Sequence, residues 1–409
     1  MNNLSFDQLS ALLDSVFAPA AREGWLTLLV DLPDARVPDH EAWLDRRRIA
    51  TEWFTQLQAN ADALPFSAVV LCVYPNVGSN NNDLPAAALV ADGMTGYEAL
   101  AEVAGAAADL AVTGAAADVA DAGAAADGAA PPTARRLPFS EILDASSVVL
   151  ALTELSATAP LKLLAAKHDF RGATLPGFSR AMIPVLPLDY ERVHERVVEF
   201  KDRLDRADAA AVTLVADDRV CDSTFDLRFR TGHASGGLMR APHTVGNLPS
   251  GEAYIVPYEG EREGEPSRTR GELPVQFGDE IVVYRLERNQ AVDVLTTGPR
   301  SDQERQRLAE EPAYGNMAEV GIGVLGEWGV QAVGSTLLDE KLGLHIAFGR
   351  SDHFGGVTSP TQFRDPANVV HIDRVYVESV QPRIQVREVA FTYADGTREV
   401  IIQSGRFVV

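Results

Sequence analysis

A chain of 409 residues is longer than one ordinary core supports, and its 46 % apolar content is that of a globular protein that buries a sizeable interior. The formal net charge of -22, from 36 basic against 58 acidic residues, argues against nucleic acid and against an anionic membrane as partners. It also means that a function built on carboxylates has many solvated ones to hide among.

The opening "MNNLSFDQLSALLDSVF" has no basic n-region and no long apolar core, so it reads as an amphipathic helix and not as a signal peptide. No run of ~20 apolar residues follows anywhere, which predicts no membrane span and a cytoplasmic protein. The short runs at 25–33, 67–75, 146–153 ("SSVVLALT") and 181–188 ("AMIPVLPL") are rich in Val, Ile and Leu and predict strands. Helical patterns such as "HEAWLDRRRIATEWFTQL" lie between them. This order predicts an α/β domain with a largely parallel sheet over 1–187. The loop "PNVGSNNND" (75–83) follows the second predicted strand, at the end where open α/β sheets bind ligands, but it carries no GxGxxG and predicts no nucleotide site. Cys72 and Cys221 form no CxxC and read as small core hydrophobes of a reducing compartment.

Residues 86–135 are rich in Ala, Gly and Asp, with no Lys or Arg before Arg135. Alanine favours helix and the repeated glycine breaks it, which predicts an insertion of short helices or mobile polypeptide. The functional alternative is a partner-docking arm or a lid. From about 188 the character changes. "YERVHERVVEFKDRLDRA" is a charged amphipathic helix, and nearly every later segment looks like a strand closed by Gly, Pro or Asp turns. Residues 188–409 are thus expected to form a mostly antiparallel β (α+β) domain.

Candidate chemistry concentrates in that second half. Glu252 follows a Pro-Ser-Gly turn in "NLPSGEAYIVP", and Glu319 precedes the Gly-spaced run of "GNMAEVGIGV". "STLLDEKLGLHIAFG" contributes Glu340 and His345. In "NVVHIDRVYV", His371 and Asp373 lie two apart on a predicted strand and therefore share a face. Polar groups on an apolar strand cost several kcal/mol unless something pairs with them. The loop "GRSDHFGG" (349–356) is placed to close over whatever the others make. Singly, each residue has an ordinary explanation, a hydrogen-bonded core histidine or a surface carboxylate. Together, three glutamates, two histidines and an aspartate on separate elements match a two-metal site, in which a bridging carboxylate holds hard divalent ions ~3.5–4 Å apart.

The ordered set "NLPSGE", "AEVGIGV", "LLDEKLGLHIAFGRS", Gly355–Gly356 and "HID", over roughly 240–380, resembles the thermophilic metallo-aminopeptidases of the aminopeptidase T / aminopeptidase S type. The resemblance implies a metal-dependent aminopeptidase that removes N-terminal residues from peptides with two divalent ions (Zn, Co, Mn or Mg). It implies the ligands Glu252, Glu319, Glu340, His345, His371 and Asp373. Glu319 is the implied bridge, Glu252 and His345 serve one ion, Glu340 and His371 the other, and Asp373 sits between. It further implies a homodimer with a peptide as its partner. One position departs: the family's Tyr after "GRS", thought to steady the transition state, is here Asp352. An ionised carboxylate donates no hydrogen bond, so His353 or Arg350 is expected to take over and to point into the cavity. Two other readings are open. One is a silent relative that binds peptide. The other is a mononuclear Fe(II) ring-cleaving dioxygenase using His345, His371 and Asp373, like a distant relative of the same fold that opens dihydroxypyridine rings.

Overall fold

The computed structural model describes residues 3–91 and 134–409. Most of the alanine-rich stretch, 92–133, lies outside the described residues, and with it the insertion, arm or lid expected there. The chain divides into two compact units, Met1–Tyr190 with Gly237–Pro249, and Glu191–Gly236 with Ser250–Val409.

The first unit is built on a seven-stranded sheet in the order Val245–Asn247, Arg171–Thr174, Ser146–Ala151, Glu23–Leu32, Phe66–Pro75, Ala87–Ala91, Ala134–Pro138. The first five strands are parallel neighbours, and the last two add antiparallel at one edge. Parallel strands covered on both faces read as unbroken apolar runs, which is why Leu26–Leu32 is buried throughout. The opening segment is a helix, Phe6–Phe17, started by a capping box of Ser5 and Gln8. Cys72 lies in the core with Val70, Tyr74, Val149 and Leu161.

One expected strand is absent. Residues 181–185 belong instead to a 3-10 turn, Arg180–Val185, with Pro184 inside it, and 186–188 follow as turn. Proline has no N–H to donate to a ladder, so the segment buries Met182, Ile183 and Val185 without pairing. The strand position is filled by Arg171–Thr174, and beside it runs Val245–Asn247, which returns from far along the sequence. That return is why the first unit takes in Gly237–Pro249 and does not end with a single cut near 187.

The second unit is antiparallel. Eight strands form one sheet, in the order Gln290–Val294, Glu280–Glu287, Arg270–Phe277, Arg219–Asp226, Ala207–Ala216, Ile384–Tyr393, Arg398–Gln403, Arg406–Phe407. Five form another: His371–Val375, Leu344–Gly349, Met317–Gly323, Glu252–Ile255, His233–Ser235. The helix Pro299–Glu310 is tied to this framework by Glu304, whose Oε2 accepts from the hydroxyls of Tyr284 and Tyr314 at 2.7 Å each. Among the described residues no helix is long and apolar enough to cross a membrane.

Candidate metal centre

The five-stranded sheet collects the chemistry on one face. Register places Glu252 opposite Gly323, Tyr254 opposite Gly321, Gly321 opposite His345, Ala347 opposite both Glu319 and Asp373, and Gly349 opposite His371. Since alternate residues share a face, Glu252, Tyr254, Glu319, His345, His371 and Asp373 project together, separated by Gly and Ala. The small residues are required. A Cβ on Gly321 would stand 1.9 Å from His345 Nε2, and one on Gly323 would stand 2.2 Å from the Lys341 carbonyl carbon. The Gly-spaced run of "AEVGIGV" is therefore the bed on which the imidazole and the Glu340–Lys341 turn lie.

His345 Nε2 is 3.0 Å from Glu319 Oε1 and 3.3 Å from Glu252 Oε2. His371 Nε2 is 3.5 Å from the other oxygen of Glu319 and 3.6 Å from Asp373 Oδ1. His371 Nδ1 is 2.8 Å from the carbonyl of Arg350, which can only accept, so Nδ1 donates there and Nε2 is presented to the carboxylates. Two groups of ligand-type atoms result, Glu252–Glu319–His345 and Glu319–His371–Asp373, each within 4.8 Å, with Glu319 common to both.

Of the six expected ligands, Glu340 is the one outside both groups. Its carboxylate lies against the ammonium of Lys341, which also donates to Glu252 Oε1 at 2.6 Å. Lys341 is 1 % exposed. The loop residues separate as well. The carboxylate of Asp352 is held by Arg350, with Nε to Oδ1 at 2.5 Å, and this contact keeps it below the usual aspartate range against the effect of burial. The ring of His353 stands edge-on to His371, 5.2 Å between centroids. Burial, with the charges of His371 and Arg350, lowers the pKa of His353 to about 4, so the ring is neutral at pH 7.

Three residues at the site do not stand out in the sequence. Lys341 is one. Glu259 is the second, a buried carboxylate that accepts from Asn316 Nδ2 at 2.8 Å, Ser351 Oγ at 2.7 Å, Thr358 Oγ1 at 2.7 Å, the Val357 amide at 2.5 Å and Arg230 Nη2 at 3.1 Å. It anchors the loop that carries Asp352 and His353. Tyr254 is the third. Its ring stacks on His233 at 5.0 Å and meets Phe354 edge-on at 4.9 Å. Burial first, and then the charges of Glu319, Glu252 and Glu340, hold its phenol well above the ordinary range and therefore protonated.

The electrostatics are those of a cation site. Four carboxyl groups, Glu252, Glu319, Glu340 and Asp373, lie close together; the Lys341 ammonium bonds two of them, Glu252 and Glu340, and burial pushes the Glu340 carboxyl up to about 8. Burial lowers the pKa of an imidazole, yet His345 rises to about 9 because Glu319 and Glu252 outweigh it. His371 is raised in the same way by Asp373 and Glu319. Among the described residues Glu252 Oε2 is buried and receives no hydrogen bond, an orphan acceptor aimed at the cluster. Oxygen-rich donors with two imidazoles fit divalent ions, which would take the place of the protons the imidazoles now hold.

No known protein family matches this sequence, and neither does any curated protein. Solved structures match along almost the whole chain, among them the following two. A 2,5-dihydroxypyridine dioxygenase from Pseudomonas putida KT2440 superposes with a TM-score of 0.55 at 13 % identity, covering 99 % of this chain and 98 % of that one. Wild-type AmpT from Thermus thermophilus superposes with a TM-score of 0.51 at 16 % identity, covering 99 % of each. The chain shares their fold. Identities this low leave the chemistry to the side chains of the site.

Proposed function

We propose that the chain is a metal-dependent hydrolase of the aminopeptidase type, acting on peptides through a centre of two divalent ions. One observation carries this reading: Glu319 belongs to both ligand groups, and its two oxygens face different imidazoles. That is the disposition of a bridging carboxylate. Glu252 and His345 would complete one position, His371 and Asp373 the other. Divalent ions at such a centre polarise a carbonyl and acidify water.

The chain's own side chains supply the remainder. His353, neutral and beside His371, keeps an N–H to donate. Tyr254, still protonated, presents a phenolic O–H from the same sheet face as Glu252 and Glu319. Either can serve where the resembled family has its Tyr, whereas Asp352 and Arg350 satisfy each other. We extend the proposal to a homodimer, as the resemblance implies, and to the cytoplasm, as the reading of the amino-terminal segment suggests.

The single-iron reading needs His345, His371 and Asp373 at one ion. Here His345 groups with Glu252, and neither group of ligand atoms contains both histidines. Reconstitution with Zn, Co or Mn at saturating concentration, followed by elemental analysis and assay on aminoacyl nitroanilides and a peptide library, tests the proposal. Two ions per chain with release of N-terminal residues is the expected result. One iron per chain with cleavage of an aromatic ring would overturn it, and two ions with no hydrolysis would favour the silent relative.

A further inference from the structure

Lys341 is the one member of the cluster that carries a fixed positive charge. It is bonded to the outer oxygen of Glu252 and to Glu340, and it is sealed from solvent. The two groups that share Glu319 therefore differ in charge. In the Glu252–Glu319–His345 group, one ligand already answers an ammonium, so a dication brought to Glu252 Oε2 meets a like charge across a single carboxylate. In the Glu319–His371–Asp373 group, no Lys or Arg side chain among the described residues hydrogen-bonds to a ligand, and the Lys341 charge reaches Asp373 only through space. His371 is instead oriented by a neutral backbone carbonyl.

We infer that Lys341 makes the two ion positions unequal. The Glu319–His371–Asp373 position fills first and tightly. The Glu252–Glu319–His345 position fills only at higher metal concentration, and Lys341 holds Glu340 out of both until then. This rests on the metal-centre reading and adds an order of filling to it. Lys341 acts here as a positioning residue, setting how much negative charge Glu252 and Glu340 offer. Polar partners behind metal ligands shift affinity by about 10–100-fold, and the effect of Lys341 belongs in that range.

The test is calorimetric titration of the metal-free full chain with Mn²⁺ and, separately, Co²⁺. Wild type is expected to bind in two steps whose affinities differ by about 100-fold, and Lys341→Arg, which keeps the charge, to do the same. Lys341→Met is expected to tighten the second step until the two lie within about tenfold. Because that change leaves two buried carboxylates without their ammonium, Lys341→Met/Glu340→Gln, which removes one of them, is measured beside it with the same expectation. Two equal steps in wild type, or a gap that survives both Met variants, would overturn the inference and leave a two-ion centre standing. No uptake by wild type at any concentration would overturn the metal-centre reading as well.

Discussion

Glu259→Gln is the sharpest probe of how the loop over the centre is held. The substitution keeps the shape of the side chain and exchanges one acceptor oxygen for an NH₂ donor. Every group around Glu259 is itself a donor: Asn316, Ser351, Thr358 and the 358 amide on Oε1, Arg230 and the Val357 amide on Oε2. Whichever oxygen is lost, donor then faces donor. Hydrogen bonds to a buried charged group contribute about 1.5–3 kcal/mol each, and breaking a buried charged network costs about 3–5 kcal/mol. In a unit of this size each kcal/mol moves the melting temperature by roughly 2–4 °C, so the expected fall is about 6–20 °C for the second unit. Scanning calorimetry of the metal-free protein measures it, and limited proteolysis should find new cuts within 351–358. A shift below about 2 °C with the loop still protected would refute the assignment of Glu259 as its anchor.

Other outcomes follow from the same geometry. Glu319→Gln should weaken both ion positions together and abolish hydrolysis, since a neutral amide cannot bridge two dications; elemental analysis showing two ions retained in a fully active variant would contradict this. His353→Ala should lower kcat by about 10²–10³ if its N–H steadies the oxyanion, while Arg350→Ala should do far less because Arg350 already answers Asp352. Steady-state kinetics on a peptide panel, with Tyr254→Phe as the comparison, separates the two candidate donors. His345 has its folded pKa raised to about 9, so its contribution to metal-free stability is complete below its unfolded value near 6.5 and is lost as pH rises through 9. A divalent ion competes for the same imidazole, so metal affinity should climb between pH 7 and 9; an affinity flat across that interval would exclude His345 as a ligand.

Much of the second unit can be read from its residues. "VHIDRVYV" and "LHIAFGR" are the strands their β-branched content announces, and His371 and Asp373 share a face as the period of two requires. The first unit is less transparent. "RGAT" is too short and too polar to signal a strand, and it pairs because Ser146–Ala151 and Val245–Asn247 flank it. "AMIPVLPL" has strand-like composition, but its prolines deny it a ladder. At the centre, the types that bind metals are visible because they are unusual on apolar strands. Lys341 and Glu259 are not, because one more Lys beside a Glu, or one more Glu in "PYEGEREGE", looks like ordinary surface until burial distinguishes it. The separation of Glu340 from the other ligands depends on where Lys341 folds, which no local pattern encodes.

The bare backbone beneath His345 has a bearing on design. Anyone grafting this set of carboxylates and imidazoles onto another β-sheet would have to copy its gaps along with its ligands. With alanine in place of Gly321, a methyl group would stand where the imidazole edge must lie. The ring would swing off Glu319 although every liganding residue was present. Here the empty positions carry as much of the blueprint as the filled ones, and a search for similar centres should score the missing side chains too.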